Sequence, residues 1–358
     1  MDPNAIIERH PKFYFPSGDI VLATKLAPQA DDSEGPPRYQ VFRVHKFLLA
    51  LRSTVFSNLF ADADGAASNE LSYDGVPLVE LHGDNTQDFA LLLSYLYEPE
   101  SSLAFRHHDP NTPITVSGVV RLADKYLLEP LRKRLISEVV QDWPTTLREW
   151  DIQQANIHAI SAVTTLRDAP YLDRGPPLCD VIPEPASAIV FAQEFVCPEI
   201  LPAAFYRLLQ IPFDDDWSLR VHSAPYSSQS LARWSLLDRD NLARYIHGLH
   251  AVESYIPDSR NFVFMECIPK MWEGEPDSPC YEYVRYMFSV LGRRRGGQAG
   301  RDPLRWLADC EDHYGISELS EKYPKGLCED CCAAVALQVP VERQRVWREL
   351  LPKWFQLE

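Results

Sequence analysis

Val41-Phe42-Arg43-Val44-His45-Lys46-Phe47-Leu48-Leu49-Ala50-Leu51-Arg52-Ser53 changes its hydrophobic period midway, and the reading of the N-terminal fold turns on that change. Through Tyr39-Gln40-Val41-Phe42-Arg43-Val44, polar and apolar residues alternate as in a half-buried strand. From Lys46 onward, Phe47, Leu48, Leu51, Val55, Phe56, Leu59 and Phe60 fall at helical spacings, with Ser53 placed to cap a second short helix. Working outward, Gly18-Asp19-Ile20-Val21-Leu22 is a β-rich run expected to pair antiparallel with the strand ending at Val44. Residues 28–37 between them are acidic and proline-rich, too poor in apolar side chains to offset their ordering entropy, and are expected to form a mobile loop. Downstream, Val76-Pro77-Leu78-Val79-Glu80-Leu81 alternates as a strand, and Asp84 or Thr86 is a candidate cap for a helix burying Phe89, Leu92, Leu93, Leu96 and Tyr97. A final helical element is expected over about residues 114–140, with Val119, Leu122, Ala123, Tyr126, Leu127, Leu131, Leu135 and Ile136 as its apolar stripe.

Three strings in this order, Gly18 to Leu22, Val41 to Ser53 and Ala123-Asp124-Lys125-Tyr126-Leu127-Leu128, resemble the BTB/POZ domain over residues 13–143. That resemblance implies an α+β fold, a small mostly antiparallel sheet flanked by helical hairpins, whose role is to recognise proteins. It also implies a homodimer or BTB heterodimer formed by the first strand and first long helix. Asp19, Val21, His45, Lys46, Phe47, Leu48 and Leu51 stand at those places. In the family an Asp of the first strand faces a basic residue just after the His of the first helix, which here pairs Asp19 with Lys46. The plainer account of the pair is an Asp satisfying backbone donors beside a solvated Lys, and of His45, a hydrogen-bonded structural histidine. Many BTB proteins adapt substrates to cullin-type ubiquitin ligases, which makes Asp84, Phe89, Tyr97 and Tyr126 a candidate partner surface.

Acidic residues outnumber basic ones 51 to 35 in a chain of 358, and the net charge of −16 disfavours direct binding to a phosphate backbone. The N-terminus has no basic region followed by an apolar run, and no stretch approaches the roughly 20 apolar residues of a membrane span. A cytoplasmic or nuclear protein is expected, and its eight cysteines then read as free thiols or metal ligands.

Residues 144–358 are expected to be a mainly helical region with proline-rich joints. Residues 186–195 and 201–209 read as short helices, the second with Pro202 near its first turn. Asp238 is placed to cap a helix burying Leu242, Tyr245, Ile246 and Leu249, and residues 343–357 read as an amphipathic helix stopped by Pro352. The last of these, with Phe195-Val196-Cys197-Pro198-Glu199-Ile200-Leu201-Pro202-Ala203-Ala204-Phe205-Tyr206, resembles the helical extension of expanded fungal BTB proteins.

Cys310-Glu311-Asp312-His313 followed by Cys328-Glu329-Asp330-Cys331-Cys332 offers Cys310, His313, Cys328 and Cys331 to one tetrahedral zinc ion, and Cys267 and Cys280 are further candidates. The competing reading is a set of core cysteines, because i, i+3 and i, i+4 spacing is also how small apolar residues repeat on a buried helix face. Arg293-Arg294-Arg295 reads as a solvated loop and His107-His108-Asp109 as a solvent-facing turn. No nucleophile elbow, phosphate loop or H-E-x-x-H pattern occurs, and no catalytic residue is assigned. The expectation is a non-enzymatic interaction module acting as a scaffold or regulator. A cullin adaptor is the first alternative and a zinc-dependent enzyme the second.

Overall fold

Ile20-Val21-Leu22-Ala23 is apolar without alternation because its strand is buried on both faces at the centre of a sheet. The computed structural model describes residues 4–27, 35–65, 71–98, 105–165, 176–218, 229–268, 278–293, 301–310 and 317–357. It divides into two units between Gln141 and Asp142. Residues 28–34 of the acidic loop lie outside the described residues.

The first unit contains strands β1 (Ile6–Tyr14), β2 (Ile20–Lys25), β3 (Arg38–Val44), β4 (Ser72–Tyr73) and β5 (Val76–Leu81), arranged β1-β3-β2-β5-β4. β2 and β3 are antiparallel as expected, with Leu22 opposite Phe42. β1–β3 and β2–β5 are parallel, so the sheet is mixed where the sequence suggested a mostly antiparallel one. The cause lies in the connections: the helices between β3 and β5 carry the chain over the sheet and return it alongside β2. β1 had no readable signal. Its Ile6-Ile7-Glu8-Arg9-His10-Pro11-Lys12-Phe13-Tyr14 mixes charges with a proline, tolerable because β1 is an edge strand whose pairing shifts register between Arg9 and Tyr14. Val21, Ala23, Tyr39, Val41 and Leu78 form one buried face. On the other face, Phe42 meets Phe89 edge to face at 5.2 Å.

Among its described residues this unit also has the helices α1 (Lys46–Arg52), α2 (Thr54–Gly65), α3 (Thr86–Tyr97), α4 (Thr112–Lys125) and α5 (Glu129–Val140). Ser53 Oγ accepts from the Phe56 N–H at 3.1 Å, the expected cap of α2. Asn85, rather than Asp84 or Thr86, caps α3, its side-chain oxygen accepting from the Gln87 and Asp88 N–H groups. Thr86 instead hydrogen-bonds Thr24 of β2 in the interior, at 2.9 Å. The single element expected over 114–140 is broken into α4 and α5, because Leu127 takes a left-handed φ of 52° and Pro130 opens the next helix.

Tyr126 sits at that break. Its hydroxyl donates to the buried Asp84 carboxylate, which Lys125 Nζ also approaches at 2.5 Å. Its ring stacks on Phe56 at 4.2 Å, and its carbonyl accepts from Ser53 Oγ at 2.6 Å. Burial and the adjacent carboxylate raise the phenol's pKa well above its ordinary value, so it remains a donor.

The second unit is mainly helical: α6 (Leu147–Thr165), α7 (Pro185–Phe195), α8 (Leu201–Leu209), α9 (Arg239–Ser254), α10 (Pro279–Arg293), α11 (Pro303–Asp309), α12 (Ser317–Lys322), α13 (Glu329–Arg345) and α14 (Leu351–Trp354). The buried Glu184 carboxylate accepts from the N–H groups of Ala186 and Ser187 at the start of α7, and from the Arg233 N–H at 3.0 Å. Asp238 caps α9 as expected. The buried face of α9 runs through Asn241, Tyr245, Gly248 and Val252, whereas Ile246, expected inside, is 62% exposed. Pro352 does not stop the terminal helix. A π-helical turn over Val346–Leu350 precedes α14 and accommodates the proline's missing N–H. Phe355 thereby reaches the core, stacking on Phe205 at 5.2 Å and lying against Gly248, where a methyl group would overlap its ring.

Two predictions follow from this packing. Tyr126→Phe removes a buried donor from Asp84 and is expected to destabilise the first unit by about 1–3 kcal/mol, read as a lower denaturant midpoint. Gly248→Ala gains about 1 kcal/mol in helix propensity but overpacks against Phe355, at a typical cost of about 1–3 kcal/mol. A lower melting temperature is expected.

Candidate interaction face and thiol cluster

The N-terminal end of α1 is held by three side chains, two from the turn before β2 and one from the end of α3. Asp19 Oδ1 accepts from the Lys46 backbone N–H at 2.7 Å, the cap that His45 does not supply. Tyr97 Oη accepts from the His45 backbone N–H at 2.9 Å and lies 3.1 Å from Nδ1 of its ring. Ser17 Oγ lies 3.1 Å from His45 Nε2, and Phe15 stacks on Tyr97 at 5.0 Å. Both nitrogens of His45 thus meet hydroxyl groups, which makes the ring part of the scaffold beneath α1.

With that end held and Leu49 buried, Phe47 and Leu51, one turn apart, stand 75% and 65% exposed. Leu48 is half-buried. Val21 is a correction: it is fully buried in the sheet and has no surface to offer a second chain. The same holds for three members of the proposed partner surface. Phe89 is fully buried between Phe42 and Tyr126, and both Tyr126 and Asp84 are interior. Helical spacing marks Phe89 and Tyr126 as core, and that local signal outweighs a surface role. Tyr97 is half-buried and engaged with His45. Leu127, counted in an apolar stripe by its spacing, is 62% exposed because its left-handed backbone turns it outward.

A family model of the BTB/POZ domain matches residues 38–142, from the first residue of β3 to just past α5. This chain carries a BTB/POZ domain. β1 and β2 precede the match but belong to the same sheet and the same unit. A BTB/POZ domain is a protein-interaction module, and in this chain it is followed by a mainly helical unit. No curated protein matches the chain. Among the described residues, no helix is long and apolar enough to cross a membrane.

In the second unit, Cys267, Cys280, Cys328 and Cys331 bring their sulfur atoms within 4.8 Å of one another. Cys267 ends the turn Met265–Cys267, Cys280 lies in the first turn of α10, Cys328 precedes α13 and Cys331 lies in its first turn. Cys310 is not among them. It is fully buried elsewhere and its thiol donates to the Trp306 carbonyl at 3.3 Å, the core cysteine of the competing reading. His313 lies outside the described residues. Burial pushes the Cys267 thiol up to about 11 and that of Cys331 upward as well, whereas the Cys331 backbone N–H draws Cys328 down. Elsewhere, His107 and His108 sit in a turn where Asp109 accepts from the Asn111 N–H at 2.9 Å, and residues 294–300, with most of the arginine run, lie outside the described residues.

A cap and a charge pair at Asp19 respond differently to substitution. As a cap, Asp19→Ala is expected to lower stability by about 1 kcal/mol while Asp19→Asn, which keeps an acceptor, retains most of it, in thermal melts of the full chain.

Proposed function

We propose that the protein is a non-enzymatic scaffold or regulator that self-associates through α1 of its BTB domain and uses its helical unit to hold or orient another protein. The observation that carries this reading is the exposure of Phe47 and Leu51 on a helix whose N-terminal end is fixed by Asp19 and Tyr97. Two large apolar side chains a turn apart are the kind of anchor that becomes valuable only when desolvated against a partner. A second copy is the natural occupant, since a two-fold axis beside α1 would set the same ridge against itself. At a net charge of −16, two copies repel through their long-range field, so the contact must draw its stability from apolar burial and short-range complementarity. A related BTB chain with a similar ridge would fit by the same argument.

An adaptor role in a cullin-type ubiquitin ligase has less support. It relied on Asp84, Phe89, Tyr97 and Tyr126 as a contact surface, and three of those side chains are interior. The break at Asp142-Trp143-Pro144 also separates α5 from α6 at the point where a continuous helical extension would favour that role.

The test is the mass of the full chain in solution by light scattering or sedimentation. Wild type is expected to be a dimer. Phe47→Asp and Leu51→Asp are expected to give monomers with near-unchanged melting temperatures, because exposed side chains contribute within about 0.5 kcal/mol to folding. A monomeric wild type, or dimers that survive both substitutions, would overturn the assignment of this face. Recovery of a stable complex with a recombinant cullin by the monomeric variants would favour the adaptor role instead.

A further inference from the structure

We propose that Cys267, Cys280, Cys328 and Cys331 bind a single zinc ion as a closed tetrathiolate site that fastens three segments of the helical unit. Their four sulfur atoms all lie within 4.8 Å of one another. A zinc–sulfur distance of about 2.3 Å in a tetrahedron requires sulfur–sulfur edges of about 3.8 Å, so contraction through modest side-chain rotations completes the geometry. The four come from the turn Met265–Cys267, from α10 and from the start of α13, and the chain's remaining cysteines are not part of the group.

Hydrophobic packing does not account for this arrangement. A core thiol is buried, yet Cys328 is exposed and Cys267 half-buried. Cys310 shows the contrast, fully buried with its thiol turned to its own helix. Backbone donors instead converge on the sulfur atoms and offset the cost of burying them. The Cys328-x-x-Cys331 pair straddles the N-terminus of a 17-residue helix, where free N–H groups and the helix dipole favour negative charge. The Phe264 N–H points at Cys331 Sγ at 3.3 Å and the Cys328 N–H at Cys280 Sγ at 3.5 Å. Donors of this kind disperse the excess negative charge of a zinc tetrathiolate and hold its ligands in orientation.

Four soft sulfur donors select zinc over magnesium or calcium. Because the protein supplies all four positions, no place is left for a water or a substrate, and the role is structural rather than catalytic. The proposal is independent of the interaction face on α1.

The experiment uses the full chain, expressed with zinc supplementation, purified under reducing conditions and analysed for metal by mass spectrometry. About one zinc per chain is expected. Replacement by cobalt(II) is expected to give the intense sulfur-to-metal charge-transfer and visible d–d bands of a tetrahedral thiolate. Cys328→Ser should lose the stoichiometric zinc and weaken those bands, whereas Cys310→Ser and Cys332→Ser should retain both. A strong chelator should strip the metal and lower the melting temperature of wild type, a measurement that needs no variant to fold. Wild type free of zinc and silent with cobalt would overturn the proposal, and so would full zinc retention in Cys328→Ser together with Cys331→Ser. Stoichiometric iron with a ferric thiolate spectrum would overturn the choice of metal.

Discussion

The hydroxyl of Tyr126 donates to Asp84 in the interior of the BTB domain, and the position of α1 depends on what surrounds that bond. A buried carboxylate is tolerable only when its lone pairs are occupied, and Asp84 has both Tyr126 and Lys125 beside it. The same tyrosine packs against Phe56 of α2 and, through its carbonyl, holds Ser53 at the junction of α1 and α2. The C-terminal end of α1 is therefore placed by the break between α4 and α5, while its N-terminal end is placed by Asp19 and Tyr97. The apolar ridge of Phe47 and Leu51 is presented by a short helix pinned at both ends.

The helical unit uses a comparable device. Glu184, also buried, caps α7, accepts from the Arg233 main chain and approaches its guanidinium at 3.3 Å, and that guanidinium lies 3.8 Å from the centre of the Trp217 ring. Tyr206 donates to Asp302 at 2.7 Å, joining α8 to the start of α11. Asp84 in the first unit and Glu184 in the second are each buried among donors, which makes the packing within each unit specific, since a mispaired charge in a dry interior is costly.

Much of the BTB domain was legible because its signals are local. The change of period at His45 separates β3 from α1, and Ser53 and Asp238 act as the caps their positions suggest. Features set by distant partners were not legible. Thr86 is drawn away from capping by Thr24 of β2, leaving that task to Asn85. β1 is held by pairing with β3, which its own alternation does not announce. In the thiol cluster, the spacing of Cys328 and Cys331 points to the site, whereas the C-x-x-H spacing of Cys310 and His313 points to a Cys310 that the fold buries elsewhere. The fold brings Cys267 and Cys280 there from other segments, and no local pattern encodes that approach. The dimer-face residues divide likewise: Val21 is core because β2 is central, a property of the sheet rather than of the strand.

The π turn at Val346–Leu350 amounts to one extra residue inserted into a continuous helix. An α-helix advances about 100° per residue, so the insertion rotates everything beyond it by roughly that angle relative to the residues before. Phe355 faces Gly248 and Phe205, and the Trp354 carbonyl meets His247 Nδ1 at 2.9 Å, in this rotated phase. The spacing between Trp347, which lies 5.7 Å from Trp150, and Phe355 is therefore a phase relation between two separate anchors. It tolerates a change of side chain at the exposed positions between them far better than a change of length.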